Sequence, residues 1–311
     1  MGDVKRNDRQ IVRIDDNDID LLWTALRKAD RFLTAEDNVA LGGIGISLTE
    51  YAALMGLSGQ QGRSAADMAR CLSVSSQAAH NIVTKLERRG LVRRDPDEYS
   101  DVILVNRLTK KGNYLFCRAD AALDLLEATR SRRIGEPVHG DLLNALEPAV
   151  MFGERTEGGI DSTDEKNRLV LASHLGSAVR NIQRQMMYAA TDALRRTGTG
   201  LAISQALVLG HMVRGHELPV QKVADELGMP QQTVSYAMAA LAGQKLVEGR
   251  TAPRHQRLKI YKLTDRGGSA ARVCSCAVTD SIRSIVEQLD GPLDKITHAL
   301  TKVTAVDGRA D

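Results

Sequence analysis

Apolar residues along the first half of the chain return at helical intervals, broken by short polar and glycine-rich joints. Ile19, Leu22, Trp23, Leu26 and Leu33 form one stripe of a helix that begins at Asp16. Gly42, Gly43 and Gly45 make a joint, and Ser47 to Leu57 reads as a short helix. Ser64 is placed to cap the next helix, with Asp67 three residues on as the capping acid, and Met68, Ala69 and Leu72 on its apolar side. After the turn Ser73-Val74-Ser75, Ala79, Ile82, Val83 and Leu86 mark the buried face of a helix from Ser76 to about Arg89, which Gly90 ends. Two β-like runs, Leu91-Val92-Arg93 and Val102 to Leu108, flank the polar stretch Asp95 to Asp101, and predict a hairpin with a long tip. A long helix from Thr109 to about Arg130, a loop holding Gly135 and Pro137, and a helix from about Asp141 to Val150 complete the half.

The second half repeats this order. A long helix carries Leu175, Val179, Ile182, Met186 and Ala189, and a short one runs from Ile203 to Val213. Pro219 suits the first position of a helix bearing Val223, Ala224 and Leu227. The turn Gly228-Met229-Pro230 leads to a helix with Val234, Ala237, Met238 and Leu241. A hairpin from Leu246 to Leu263, a long helix from about Thr264 to Leu289 and a short helix after Pro292 follow. Individual residues repeat too: Leu86, Leu91, Val92, Leu108, Thr109 and Gly112 return as Leu241, Leu246, Val247, Leu263, Thr264 and Gly267, each pair 155 apart (267 − 112 = 155). A unit of that size is a domain, so two copies of one fold are expected. They are residues 16–153 and 168–306, joined by the polar linker 154–167. The fold class expected is mostly α with small β-hairpin wings: two winged helix-turn-helix domains, whose terminal helices should pack together because the stripes around Leu22 and Ile182 need partners.

Helix, tight turn, helix, hairpin is the winged helix-turn-helix order, whose second helix reads the DNA major groove while the hairpin touches phosphate or minor groove. The chain resembles the MarR transcriptional regulators in Met68-Ala69-x-x-Leu72-x-Val74-Ser75, in Val83-x-x-Leu86-Glu87-x-x-Gly90-Leu91-Val92-x-Arg94 and in Leu108-Thr109-x-x-Gly112. The second copy matches at Val223-Ala224-x-x-Leu227-Gly228-Met229, Leu241, Leu246-Val247 and Leu263-Thr264-x-x-Gly267. The resemblance implies homodimers of chains half this length, joined by their first and last helices; this chain then looks like a fused pair. It departs from the family at the first wing, which lacks the usual arginines at its tip.

Charge separates the two copies. Residues 95–107 hold Asp95, Asp97, Glu98 and Asp101 against Arg107, a net −3, while residues 250–262 hold Arg250, Arg254, Arg257, Lys259 and Lys262 without an acid, a net +5. A basic wing gains affinity by releasing counterions from phosphate, and an acidic one is repelled. The first copy places Lys85, Arg88, Arg89, Arg93 and Arg94 on and after its reading helix instead. Ser76, Gln77, His80, Asn81, Thr84 and Lys85 face outward there, as do Gln231, Gln232, Ser235 and Tyr236 in the second copy. Gln and Asn can pair with adenine and Lys with guanine. The unlike sets predict an operator with unlike half-sites, the one under the first head more guanine-demanding because of Lys85.

The rest of the composition removes alternatives. Three Phe, six Tyr and one Trp are too few for base-stacking RNA or single-strand platforms. No apolar run nears the roughly 18 residues of a membrane span, and Met1-Gly2-Asp3 does not open a signal peptide, so a cytoplasmic protein is expected. Cys71, Cys117, Cys274 and Cys276 have no zinc-ligand spacing, Cys274 and Cys276 cannot face each other at i, i+2, and His174 and His211 stand alone. No nucleophile–base pair, metal set or phosphate loop suggests an enzyme, and no cofactor is expected. Trp23 and Arg27 could instead line an effector pocket, the guanidinium suiting a carboxylate on an aromatic ligand. The reading is a double-stranded DNA-binding regulator, a repressor relieved by a small molecule. A winged-helix protein-interaction module is the alternative, which the acidic first wing supports.

Overall fold

The computed structural model describes residues 15–58, 62–72, 74–97, 100–153, 173–213, 217–252 and 255–305; at 97, 100–103, 252 and 255–258 it describes the backbone alone. The linker 154–167 lies outside the described residues. The first copy runs α1 (Asp16–Gly42), α2 (Leu48–Gly56), α3 (Ala65–Leu72), α4 (Ser76–Arg88), β1 (Val92–Asp97), β2 (Ser100–Leu108), α5 (Lys110–Ile134) and α6 (Glu136–Gly153). The second runs α7 (Leu175–Arg196), α8 (Ile203–Met212), β3 (Leu218–Pro219), α9 (Val220–Leu227), α10 (Gln231–Gly243), β4 (Val247–Ala252), β5 (His255–Leu263), α11 (Asp265–Val286) and α12 (Leu293–Thr304).

Local chemistry explains the boundaries. Asp15 caps α1, Ser47 and Glu50 form a reciprocal capping box on α2, and Ser64 and Asp67 exchange bonds at the start of α3. Thr109 and Thr264 cap α5 and α11 by accepting from the N–H of Gly112 and Gly267. Gly90 and Gly228 take positive φ after α4 and α9, where any other residue would be strained.

Three expectations need correction. The hairpin tips are short: β1 reaches Asp97 and β2 starts at Ser100. An exposed two-stranded ribbon is held by main-chain bonds, so its polar residues gave no apolar alternation to read. The loop around Gly135 and Pro137 is one residue, Gly135, because proline is tolerated in the first turn of α6. Pro219 is the cap before α9 and belongs to β3, which pairs with β5 in the order β3-β5-β4. The matching pair in the first copy is the single bridge Arg63–Asn106, 155 residues before Leu218–Tyr261 (218 − 63 = 155).

The copies join reciprocally. The first helix of copy one, α1, packs on the last helix of copy two, α12; the last helix of copy one, α6, packs on the first helix of copy two, α7; and α1 also meets α7. Such an exchange, patch a on b and b on a, is the pattern of a two-fold dimer interface. The stripe residues Ile19, Leu22, Leu26, Leu33, Val179, Ile182 and Met186 are fully buried there, in a core continuous through both copies. Polar ties cross the same seam. Trp23 Nε1 donates to Gln183 Oε1 (3.0 Å), and Arg180 donates to Asp37 Oδ2 (2.6 Å) and Thr34 Oγ1 (2.7 Å). The Leu175 N–H donates to Glu127 Oε1 (2.7 Å). Buried Arg130 gathers Glu36, Asp37 and Glu127 at 2.9, 2.7 and 3.2 Å.

Candidate nucleic-acid interface

Helix α4 buries Ala79, Val83 and Leu86, half-buries Ile82, and leaves Ser76, Gln77, His80, Asn81, Lys85 and Arg88 exposed. Ser75 caps it by accepting from the Ala78 N–H (3.2 Å). Gln77 Nε2 donates to Asn81 Oδ1 (3.1 Å), and His80 lies 3.5 Å from the Thr84 hydroxyl, so four polar side chains one turn apart already share bonds along the outward face.

The basic cluster of this head is largely neutralised from within. Lys85 Nζ sits 3.3 Å and Arg89 2.9 Å from the buried carboxylate of Glu50 on α2. Burial pushes the Glu50 carboxyl up, but the Ser47 N–H and the Lys85 and Arg89 charges outweigh it and hold the group below its ordinary range. Arg94 pairs with Glu87 (3.3 Å) and donates to Thr84, and Arg93 pairs with Asp95 (2.9 Å). Of the five, Arg88 alone makes no ion pair among the described residues. The expected compensation for the acidic wing is therefore smaller than the residue count implies, and Lys85 is held by α2.

The second head keeps more free charge. On α10, Val234, Ala237, Met238 and Leu241 are buried, while Gln231, Gln232, Ser235 and Tyr236 are exposed; Gln232 Nε2 donates to the Tyr236 hydroxyl (3.3 Å). Arg250 on β4 is paired with Glu217, whose carboxyl that bond lowers. Lys259 on β5 is exposed, with no ion pair among the described residues. Arg254 lies outside the described residues, as does the side chain of Arg257.

Trp23 and Arg27 lie where α1 crosses onto the second lobe. Trp23 is fully buried, and Arg27 lies 5.0 Å from its ring centre. Arg27 Nε donates to the Leu227 carbonyl (3.0 Å) at the end of α9, directly before the turn into the reading helix, and one terminal nitrogen donates to Thr24. The other terminal nitrogen, Nη1, is buried with no hydrogen-bond partner among the described residues. Burial lowers this guanidinium to about 10, against the opposing pull of Asp20. The cavity beside it, about 60 Å³, is water-sized.

A twin cavity of about 220 Å³ lies where α7 crosses onto the first lobe. Its lining residues Tyr51, Ala52 and Met55 precede Ala206, Leu207 and Gly210 of the first cavity by 155 (206 − 51 = 155). Arg180 and Arg184 reach it from α7, and burial lowers the Arg184 guanidinium. Sequence reading missed both arginines. The signal lay in the repeat: a helix equivalent to the Arg27 helix also carries arginine on its lobe-facing side. Cys71 and Cys274 are buried, Cys117 and Cys276 are exposed, and none of the four forms a disulfide; burial raises the Cys274 thiol. Among the described residues, no helix is long and apolar enough to cross a membrane.

A family model described as MarR family matches residues 44–99 and 199–258, one lobe in each copy. The HTH-type transcriptional repressors Rv2887 of Mycobacterium tuberculosis and Mb2911 of Mycobacterium bovis are each 33% identical to the chain over 122 residues, 39% of this chain and 88% of theirs. Among solved structures, a mutant MarR from E. coli complexed with operator DNA is 17% identical, covering 42% of this chain and 89% of that one at a TM-score of 0.35. PcaV of Streptomyces coelicolor with its natural ligand is 20% identical, covering 39% and 84% at a TM-score of 0.34. These two likenesses are too distant to bear on function.

Proposed function

The chain belongs to the MarR family of DNA-binding transcriptional regulators, and from that premise we propose that one polypeptide covers both half-sites of a double-stranded operator as a repressor. The reciprocal crossing of α1 with α12 and of α6 with α7 carries this reading, since it places inside one chain the contacts that two chains would otherwise share. Domains 16–153 and 168–306 are then the two halves of the pseudo-dimer. The heads contribute unequally. The second, with Lys259 and the wing arginines Arg254 and Arg257, and with Arg250 once it leaves Glu217, supplies most phosphate attraction, and Gln231, Gln232, Ser235 and Tyr236 read bases. The first reads with Ser76, Gln77, His80 and Asn81, with Arg88 on phosphate. Lys85 reaches DNA only by leaving Glu50. The half-sites should therefore differ. Selection of sites from random duplex DNA tests this, and a perfectly symmetric consensus would exclude it.

Relief by a small aromatic carboxylate follows from the two arginine cavities. The Arg180–Arg184 cavity has room for a benzoate-sized anion; the Arg27 cavity must first open. Arg27 ties α1 to the end of α9, so an anion that draws its guanidinium away frees the second reading head to tilt. A gel shift on the promoter region of the protein's own gene, with and without benzoate, tests both parts. A winged-helix interaction module is the second reading, favoured by the self-neutralised first head; failure of the full chain to retard any duplex at low salt would select it.

A further inference from the structure

A crevice of about 360 Å³ opens between α7, α11 and the last turn of α6, and shares no residue with the two arginine cavities. Its origin is a difference between the copies. Ile285 in its wall stands 155 residues after Arg130 (285 − 130 = 155). In the first copy, Arg130 bridges α5 to Glu36 and Asp37 on α1, and Arg133 lies over the Phe32 ring at 5.2 Å. The second copy has Ile285 and Gln288 at these places, so the ion pairs that Arg130 makes have no counterpart from Ile285 or Gln288, and a crevice lies between α11 and α7.

The chemistry of the lining is specific. Phe152 and Tyr188 bring aromatic rings, and Ala189, Ala193 and Ile285 keep the walls apolar. Asp192 and Arg196 pair with each other, so the crevice offers no net charge. Gln185, 4% exposed, is fixed by its amide nitrogen, which donates to the Ala149 carbonyl (3.1 Å) and to Asn181 Oδ1 (2.6 Å). Its carbonyl oxygen is buried and accepts no hydrogen bond among the described residues. Buried polar atoms of native proteins are almost always satisfied, so an orphan acceptor on a crevice-lining side chain marks a missing donor, which a ligand reaches once the amide turns its oxygen, covered in this structure, toward the opening. Ser281 and Ser284 complete the lining, and apolar pockets of this size with a few placed polar groups are the usual form of small-molecule sites.

We propose that this crevice binds a neutral aromatic molecule carrying a single O–H or N–H donor, its ring against Phe152 and Tyr188 and its donor on the Gln185 carbonyl. Neutrality sets this ligand apart from the carboxylate that the arginine cavities suit. Gln185 joins α6 of the first copy to α7 of the second, so the ligand braces the seam between them. The site does not depend on how, or whether, the heads hold DNA.

Calorimetry of the full-length chain with 1-naphthol, and with naphthalene as the donor-less probe, tests it. One 1-naphthol per chain is expected, bound at least fivefold tighter than naphthalene. Ser284→Phe, at an exposed position on the rim, should weaken 1-naphthol at least tenfold. Gln185→Met should bring 1-naphthol down to the naphthalene level, and Arg184→Met should leave it unchanged. Equal affinity for the two probes, binding that survives Ser284→Phe, or no heat up to the solubility of 1-naphthol would each overturn the proposal.

Discussion

Gly112 and Gly267, one repeat apart, are where a single methyl group should cost most. Each is the third residue of its helix, donating its N–H to the capping threonine at 3.0 Å. A Cβ on Gly267 would stand 1.9 Å from the Leu246 carbonyl oxygen, and one on Gly112 would stand 2.0 Å from that of Leu91. Contacts under 3.0 Å are not tolerated, so the Leu246 oxygen or the helix must retreat by about 1 Å or more. That oxygen is pinned, accepting from the Thr264 N–H (3.2 Å) and hydroxyl (3.1 Å). Weakening these two bonds costs about 1–3 kcal/mol, overpacking adds about 1–3 kcal/mol, and the better helix propensity of alanine returns about 1 kcal/mol. Gly267→Ala should destabilise by roughly 1–5 kcal/mol, read as a lower midpoint in urea at unchanged slope. Gly140→Ala, inside α6 with nothing within 4 Å of its Cβ, should instead stabilise by about 0.5–1 kcal/mol. If Gly267→Ala matches Gly140→Ala, the close approach of helix and wing strand is not the reason for glycine in the repeat.

Changing Arg254 and Arg257 together to Ala should weaken binding to all duplexes alike and reduce the salt slope by about 2, measured by titration at several salt concentrations; a parental slope would remove the second wing from the phosphate contacts. Burial raises the Glu127 carboxyl, yet the His139 bond, the Leu175 N–H and the Arg130 charge win and lower it below the ordinary value of about 4.3. A depressed carboxylate stabilises above its unfolded pKa and loses that contribution as pH falls through the folded value. Glu127→Gln should thus be less stable than the parent at pH 7, the gap closing below about pH 4; thermal melts across pH check this, and a constant gap contradicts it. Arg184→Met should weaken release of DNA by benzoate to the part that runs through the Arg27 cavity while leaving DNA affinity alone, and an unchanged benzoate response would move the effector away from the Arg180–Arg184 cavity.

Elements tied to local chemistry were legible in the sequence: the cap at Ser64, the closing Gly90, the apolar faces of α4 and α10, and the stripes that bury Leu22 and Ile182. They follow from short-range geometry that a run of ten residues displays. What depended on distant partners was not. The counted cations Lys85, Arg89, Arg93 and Arg94 gave no hint that Glu50, Glu87 and Asp95 would claim them. Nor could spacing foretell that Arg130 would sit buried among three carboxylates from two helices, or that Arg180 and Arg184 would reach the opposite lobe. The strands of the first hairpin ran longer than expected because main-chain pairing leaves no mark on polar side chains.

The central claim is one chain per operator, and native mass spectrometry of the DNA complex tests it most directly. With the selected duplex in excess, the account predicts one 33.9 kDa chain per duplex, and a footprint over two half-sites about one helical turn apart. Two chains on every duplex, with one chain protecting only a single half-site, would contradict it.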